Sequence, residues 1–199
     1  NAQIPLDLRF RDEQGRNVTL NDYFPSRPVV LSLVYYRCPM LCTQVLNGMV
    51  ETFRIVKFTA GKEFTVITVS IDPTETSELA AGKKAQYVAD YGRPGVGEGW
   101  HFLTGDQEAI TKLAATVGFN YVYDEQTKQF AHASGIMVAT PEGKLSRYLY
   151  GIEYAANDLT FSIMESAKEK IGSPAQKLQL LCYAYDPASG TYSLVVMNL

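Results

Sequence analysis

Two cysteines four residues apart, Cys38 and Cys42, are the residues of this sequence best suited to do chemistry. They follow a run of apolar and β-branched residues, Val29 to Tyr36, which is typical of a strand buried on both faces. Proline favours the first position of a helix, so Pro39 predicts that Cys38 is the N-cap of the next helix. The positive end of a helix lowers a thiol's pKa and favours the thiolate, which attacks disulfides and binds soft metals.

The cysteine spacing alone admits three kinds of site. A structural zinc site would need two further strong ligands, and only Cys182, His101 and His132 could supply them. A redox dithiol would exchange with the disulfide of a partner protein. A soft-metal site would bind Cu(I) through both thiolates and could add an imidazole. Zinc is the weakest of the three, the spacing favours redox and copper equally, and two buried structural cysteines fit a helix boundary poorly.

The composition indicates a globular chain and excludes several classes of partner. Hydrophobic residues make up 46% of the 199 residues, which is enough for one domain with a substantial core. The net charge of −3 argues against nucleic acid as a partner. Three cysteines do not make a disulfide framework, and no apolar run reaches the roughly 18 residues that span a bilayer. The chain begins at Asn1 without a methionine, so we expect a trimmed form of a longer protein.

The hydrophobic pattern predicts strands connected first by helices and then by hairpins. An N-terminal hairpin within residues 4–20 precedes the strand that leads to Cys38. The predicted helices extend from Cys38 to about Ala60, Glu75 to about Tyr91, Asp106 to Gly118, and Asn157 to about Gly172. The other predicted strands are Phe64 to Ile71, Trp100 to Leu103, Phe119 to Tyr123, Gly135 to Thr140 and Leu145 to Tyr150. This order predicts an α/β protein with a thioredoxin-like fold, in which helices flank a central mixed sheet and the active site lies at the carboxyl ends of the strands.

An additional hairpin is predicted near the C terminus, from Leu178 to Tyr185 and from Thr191 to Met197. We therefore expect a thioredoxin-like domain at residues 1–172 and a C-terminal extension at residues 173–199. The extension is expected to pack on the domain or to lead into a membrane anchor. Cys182 lies in this extension and is expected to be a small buried strand residue.

Four motifs agree in residue type and spacing along most of the chain. They are Cys38-Pro39-Met40-Leu41-Cys42 after a buried strand, Ile71-Asp72-Pro73 at the end of the next strand, His132 ahead of Ile136-Met137-Val138, and the Pro141-Glu142-Gly143 turn. Together, from about Pro5 to Gly172, they resemble the SCO/SenC family. Proteins of this family bind copper on a thioredoxin fold and help to assemble the copper centre of cytochrome c oxidase.

The resemblance implies that the protein is a copper metallochaperone. The family's copper ligands fall on Cys38, Cys42 and His132, and this donor set suits Cu(I), with Cu(II) as a second oxidation state. The same two cysteines would form the disulfide of the oxidised protein. Ala131 stands where the family often has an aspartate before the histidine, which is expected to affect Cu(II) affinity more than Cu(I) affinity.

The resemblance also implies partners and a location. The expected recipient is the copper-site subunit of cytochrome c oxidase, and another copper chaperone or a thioredoxin-like reductant could also bind. The protein is expected on the periplasmic side of a bacterial inner membrane, tethered to it. The alternative is an enzyme, a thiol–disulfide oxidoreductase that acts on the oxidase subunit or another periplasmic protein. A thioredoxin usually has Cys-x-x-Cys and a facing proline; the longer spacing here, and Ala131-His132 where the proline is expected, favour the metallochaperone.

Three further residues are predicted to lie near the copper ligands. Asp72 either tunes the thiols or forms an Asx turn before Pro73. Tyr36 is expected to wall the site against solvent or to pack in the core. Met40 could offer a thioether, but packing against the sheet is its favoured role. His101 lies between two aromatic residues and is predicted to be a packed edge-strand histidine.

Overall fold

Strands and helices follow one another in the predicted order, with one additional strand at Gln129–His132. The computed structural model describes residues 2–24, 26–38, 40–168, 183–186 and 188–194. The strands in this part are β1 (Arg9–Arg11), β2 (Asn17–Thr19), β3 (Val29–Val34), β4 (Thr65–Ser70), β5 (Trp100–Leu103), β6 (Tyr121–Asp124), β7 (Gln129–His132), β8 (Gly135–Ala139), β9 (Leu145–Tyr150), β10 (Tyr183–Asp186) and β11 (Thr191–Leu194). The helices are α1 (Leu41–Ile55), α2 (Ser77–Tyr91), α3 (Gln107–Thr116) and α4 (Ala156–Ser166).

A five-stranded mixed sheet forms the centre of the fold, with the strand order β5-β4-β3-β8-β9. Strands β3, β4 and β5 are parallel, whereas β8 is antiparallel to both β3 and β9. Every residue of β3 and β4 is buried, which is typical of strands covered on both faces. The α/β, thioredoxin-like prediction is confirmed, and the carboxyl ends of β3 and β4 lie side by side.

Helix α1 holds the second cysteine against the rest of the fold. It contacts both α2 and α4, and it crosses closely over the loop after β9. Glycine is required at the crossing, because a Cβ on Gly48 would lie 1.8 Å from the carbonyl oxygen of Ile152. The hydroxyl of Thr52 then donates to the carbonyl of Tyr154 at 2.9 Å. This packing fixes the position of α1 relative to the sheet.

The predicted N-terminal hairpin, β1 and β2, covers the outer edge of β5. Arg11 and Thr104 exchange backbone hydrogen bonds of 2.7 and 2.9 Å. The buried carboxylate of Glu13 accepts a hydrogen bond from the N–H of Phe102 at 3.2 Å. An edge strand with free N–H groups invites pairing with another chain, so the hairpin protects this edge.

Strands β10 and β11 form an antiparallel hairpin at the predicted position near the C terminus. The N–H of Tyr192 donates to Asp158 Oδ1 of α4 at 3.0 Å, and its ring lies 5.4 Å from that of Phe161. The rest of the predicted extension, including Cys182, lies outside the described residues. The division at residue 172 therefore stays a prediction. Within the described residues, none of the helices is both long and apolar enough to cross a bilayer.

The start of α1 differs from the prediction. The N-cap is Met40 rather than Cys38, and the helix begins at Leu41. The reason is that the N–H of Cys38 bonds to the carbonyl of Tyr35 at 3.2 Å, which closes a turn ahead of the helix. Only the second cysteine of the pair is therefore helical.

Two other helix ends are also wrong in the prediction. Helix α1 ends at Ile55 rather than near Ala60, because Val56 adopts an extended backbone. Helix α4 begins at Ala156 rather than after Asn157, since the chain is already helical where the sequence suggested a cap.

The segment that ends in His132 forms a hairpin of its own. Strands β6 and β7 pair with each other, separately from the central sheet, and Tyr121 lies opposite His132. The carboxylate of Asp124 accepts the N–H of Gln126 at 2.8 Å in the connecting turn. His132 was predicted in a loop, but the hydrogen-bonded ladder makes it the last residue of a strand.

Candidate functional site

The two cysteines lie just beyond the carboxyl end of β3, as predicted. Cys38 is in the turn before α1, and Cys42 is the second residue of the helix. Their side chains are 9% and 2% exposed, and both are free thiols. Both sulfur atoms are therefore largely shielded from water, and Cys38 is the more exposed of the two.

Backbone N–H groups surround both sulfur atoms. The N–H of Cys42 donates to Cys38 Sγ at 3.3 Å, and the N–H of Tyr35 donates to Cys42 Sγ at 3.4 Å. The Tyr35 hydroxyl and the N–H of Met40 also bond to Cys38. These donors are placed by the turn and by the first residues of α1, so the local backbone, more than any charged side chain, stabilises negative charge on sulfur.

The two thiols differ in acidity. Burial alone would raise the pKa of Cys38, but the hydrogen bonds from Cys42, Met40 and Tyr35 outweigh burial and hold the pKa below the ordinary thiol value. Burial raises the pKa of Cys42 far above the ordinary value. In the metal-free protein Cys38 is thus the readier thiolate, and Cys42 keeps its proton.

His132 reaches the cysteines from the end of the β6–β7 hairpin. Its Nε2 lies 3.1 Å from Cys42 Sγ, and its Nδ1 lies 2.7 Å from the carbonyl oxygen of Ala133. A carbonyl can only accept, so Nδ1 carries the proton and the lone pair of Nε2 points at the sulfur. That tautomer is the one in which an imidazole accepts the Cys42 proton or binds a metal.

Aromatic rings and a backbone carbonyl surround the imidazole of His132. The ring lies among aromatic rings, 6.1 Å from Tyr35 and 5.6 Å from Phe119. The carbonyl of Ala133 orients the ring, a task that a carboxylate often performs for metal-binding histidines. Neither Ala133 nor Phe119 was predicted, because a backbone carbonyl and a packed ring leave no signal in residue type.

Glu75 is a further site residue that the sequence did not reveal. Its carboxylate accepts the N–H groups of Tyr36 and Arg37, both at 2.7 Å, in the turn that leads to Cys38. The sequence placed Glu75 in the first turn of α2, but the N-cap of that helix is Thr76. Glu75 precedes the cap and turns back toward β3.

The three residues predicted near the ligands have different surroundings. Asp72 accepts the N–H and hydroxyl of Thr74 at 2.8 and 2.7 Å, which is the Asx turn, and lies 3.9 Å from the Arg37 guanidinium. The Tyr36 hydroxyl bonds to carbonyls of β4 and β5 inside the core. Met40 is 67% exposed, so the prediction that it packs on the sheet is wrong; as the N-cap it points out where the chain enters α1.

His101, one of the other candidate ligands of a zinc site, does not join the cysteines. His101 contacts Glu13 at the far edge of β5, and Cys182 lies outside the described residues. Across the described part of the chain, no three His, Cys, Asp or Glu side chains already surround a common point. The donors are instead linked in a row, from Cys38 through Cys42 to His132, so a metal ion would have to draw them together.

Comparison with known proteins gives a consistent result. The SCO1/SenC family model matches residues 2–163. A curated relative, the SCO1 protein homolog of Bacillus subtilis, is 24% identical over 160 residues, which cover 79% of each chain. A solved protein from Aquifex aeolicus matches with a TM-score of 0.75 and 24% identity, over 85% of this chain and 95% of that one. Arabidopsis thaliana ScoI, solved with copper bound, matches with a TM-score of 0.63 and 20% identity, over 81% and 96%. Since the family model matches most of its length, the chain belongs to the SCO1/SenC family.

Proposed function

We propose that this protein is a copper metallochaperone that binds Cu(I) through Cys38, Cys42 and His132. The contact of 3.1 Å between Cys42 Sγ and His132 Nε2, across 90 positions of sequence, is the observation that carries the proposal. It brings a borderline imidazole ligand to a pair of soft sulfur ligands at the carboxyl end of β3. Membership of a family with copper-bound relatives supports the same function.

The chemistry of the donors fits Cu(I) as the cargo. Two thiolates and an imidazole favour a soft monovalent ion, and a linear or trigonal arrangement needs no further ligand. Cys42 would lose its proton on binding, so uptake of copper releases protons and weakens as the pH falls. The complex has a net charge of −1, which the N–H groups at the start of α1 partly offset.

The recipient in this proposal is the copper-site subunit of cytochrome c oxidase. The protein acts on the periplasmic side of a bacterial inner membrane, tethered to it, and another copper chaperone or a thioredoxin-like reductant prepares it for loading. A cleft of about 430 Å³ beside the site, lined in part by Tyr35, Arg37 and Phe130, offers room for a partner to approach.

A competition titration of the reduced protein with Cu(I) tests the assignment. We expect one copper ion per chain, lost in Cys38→Ser and in Cys42→Ser. His132→Ala should weaken binding by at least about tenfold, a change of about 1.4 kcal/mol, because one of three ligands is removed. His101→Ala is the matched control: it removes the other histidine of the chain and should leave the affinity unchanged. An unaltered affinity of His132→Ala would refute the ligand set.

A second candidate function, thiol–disulfide exchange, is supported by the unequal surroundings of the two sulfurs. Cys38 receives several hydrogen bonds and is the more exposed, whereas Cys42 is almost fully buried and its pKa is raised by burial. The Cys38 thiolate would attack a target disulfide, forming a mixed disulfide and releasing the first target thiolate. Cys42 would then attack Cys38 Sγ as a thiolate, forming the Cys38–Cys42 disulfide and releasing the second target thiolate. Cys42→Ser should trap the mixed disulfide. Two results together would favour the oxidoreductase over the metallochaperone. The wild-type protein would fail to bind Cu(I), and the metal-free His132→Ala variant would reduce the target disulfide as fast as metal-free wild type.

A further inference from the structure

The turn between β3 and α1 depends on an acceptor that is distant in sequence. Among the described residues, no backbone carbonyl of β3 or α1 accepts the four consecutive N–H groups of residues 35–38. Tyr35 donates to Cys42 Sγ, and Cys38 donates to the carbonyl of Tyr35. The two between them, Tyr36 and Arg37, donate to opposite oxygens of Glu75. Buried N–H groups must be paired, so a single carboxylate completes the hydrogen bonding of this turn.

Glu75 is itself held firmly. It is 6% exposed, and Oε2 also accepts the hydroxyl of Ser70, at the end of β4, at 2.6 Å. A buried carboxylate is stable only when hydrogen bonds replace its water, and three short ones do so here. The residue therefore ties the carboxyl ends of β3 and β4 together directly behind the cysteines.

The shape and charge of this side chain are both needed. A glutamine would keep one acceptor oxygen but would direct an NH₂ group at the second backbone N–H. An alanine would leave the buried N–H of Tyr36 unpaired and would remove the acceptor of the Arg37 N–H. An aspartate is one methylene shorter, so it reaches less far toward the turn.

We propose that Glu75 is a positioning residue for the metal site: by fixing residues 36–37 it sets the distance and orientation of Cys38 relative to Cys42. The reason is the double role of Tyr35, whose N–H bonds to one cysteine and whose carbonyl bonds to the other. If the turn loosens after residue 35, both sulfurs lose their alignment. The inference rests on the proposed copper function. It also predicts slow amide hydrogen exchange at Tyr36 and Arg37 in the metal-free protein.

The test compares wild type, Glu75→Gln and a matched control, Asp158→Asn. Asp158 is also a buried carboxylate that accepts a backbone N–H, from Tyr192, but it lies on α4 away from the cysteines. Amide hydrogen exchange of the metal-free protein reports the turn, Cu(I) competition reports the site, and denaturant unfolding reports global stability. Ser70→Ala, which removes only one of the three hydrogen bonds to Glu75, is a milder second variant if Glu75→Gln folds poorly.

We expect Glu75→Gln to speed exchange at Tyr36 and Arg37 beyond any change in global stability. Its Cu(I) affinity should fall by about tenfold, the effect typical of residues that orient metal ligands. Ser70→Ala should also speed amide exchange and lower Cu(I) affinity, but by less. Asp158→Asn should lower stability without changing copper affinity. Unchanged exchange at both amides, or wild-type copper affinity despite faster exchange, would overturn the inference. Failure of wild type to bind copper would instead refute the proposed function, while the exchange experiment would still test the role of Glu75 in the turn.

Discussion

The chain has two histidines, and their surroundings show how differently one residue type is used. His101 lies at the β5 edge, where Nε2 is 3.1 Å from the carbonyl of Glu98 and Nδ1 is 3.8 Å from the Glu13 carboxylate. His132 lies at the carboxyl end of the sheet, where one nitrogen faces a carbonyl and the other faces a sulfur. Both nitrogens of His101 face oxygen acceptors, whereas His132 keeps a lone pair directed at a soft atom.

The neighbours of the two histidines extend this contrast. At the edge, the Glu13 carboxylate forms an ion pair with Lys84, lies close to His101 and accepts a hydrogen bond from the N–H of Phe102. Its negative charge and its acceptor oxygens are therefore satisfied inside the protein. At the cysteines, the sulfur and nitrogen atoms that would bind a metal contact one another. No lysine or arginine of the described residues forms an ion pair with them. A polar cluster whose charges are matched without a ligand indicates a structural role, and a row of sulfur and nitrogen atoms in contact without a charged partner indicates a binding role.

The largest predicted effect concerns the edge cluster, which is formed by Glu13, Lys84 and His101. We expect its contribution to the free energy of unfolding to be lost at low pH. Burial would raise the pKa of Glu13, but hydrogen bonds from His101 and Lys84 lower it from 4.5 to about 2. A lowered folded-state pKa contributes stability that is present above pH 4.5 and is lost as the pH falls toward 2. The shift corresponds to at most about 3 kcal/mol. Glu13→Gln should therefore lower the free energy of unfolding near neutral pH and flatten its decline between pH 4.5 and 2.

Denaturant unfolding over this pH range measures the effect, with copper affinity at neutral pH as the control. The edge interpretation fails if Glu13→Gln keeps the wild-type pH dependence, or if it changes copper affinity while the protein remains folded.

A smaller effect is expected in the reactivity of the two thiols at the metal site. Cys38 should react with iodoacetamide at least about tenfold faster than Cys42 in the reduced, metal-free protein, because only the thiolate is nucleophilic. Its rate should rise through a pKa below the ordinary thiol value of about 8.5. Mass spectrometry of peptides after brief labelling measures both rates. Equal labelling would show that the hydrogen bonds to Cys38 do not separate the two thiols.

The smallest effect is expected at Met40, which lies between the cysteines in sequence but is exposed. Met40→Leu keeps the volume and removes the thioether, so stability should change by less than about 0.5 kcal/mol. Copper stoichiometry and affinity should stay at wild-type values, since the three proposed ligands are intact. A clear loss of affinity in the titration would mean that the thioether is a fourth ligand.

The strands of the central sheet were predictable because their cause is local. Continuous apolar runs predicted β3 and β4, and the Asp106 cap predicted the start of α3, as the structure confirms. The β6–β7 hairpin was less predictable, since it is only partly buried and lacks a clear alternation. The predicted start of α1 was wrong because the turn after β3 places the N-cap at Met40 rather than at Cys38.

Residue types and spacing predicted the fold class and carried the likeness to one family, and that likeness implied Cys38, Cys42 and His132 as candidate ligands. Only the tertiary structure decided that the carbonyl of Ala133 orients the His132 ring, that the Nε2 lone pair faces Cys42, and that Glu75 completes the turn. The last two contacts join residues 90 and 38 positions apart, and Glu75 accepts backbone N–H groups that are the same in every residue. Local sequence rules do not contain them, because they arise when separate strands end at the same edge of a sheet.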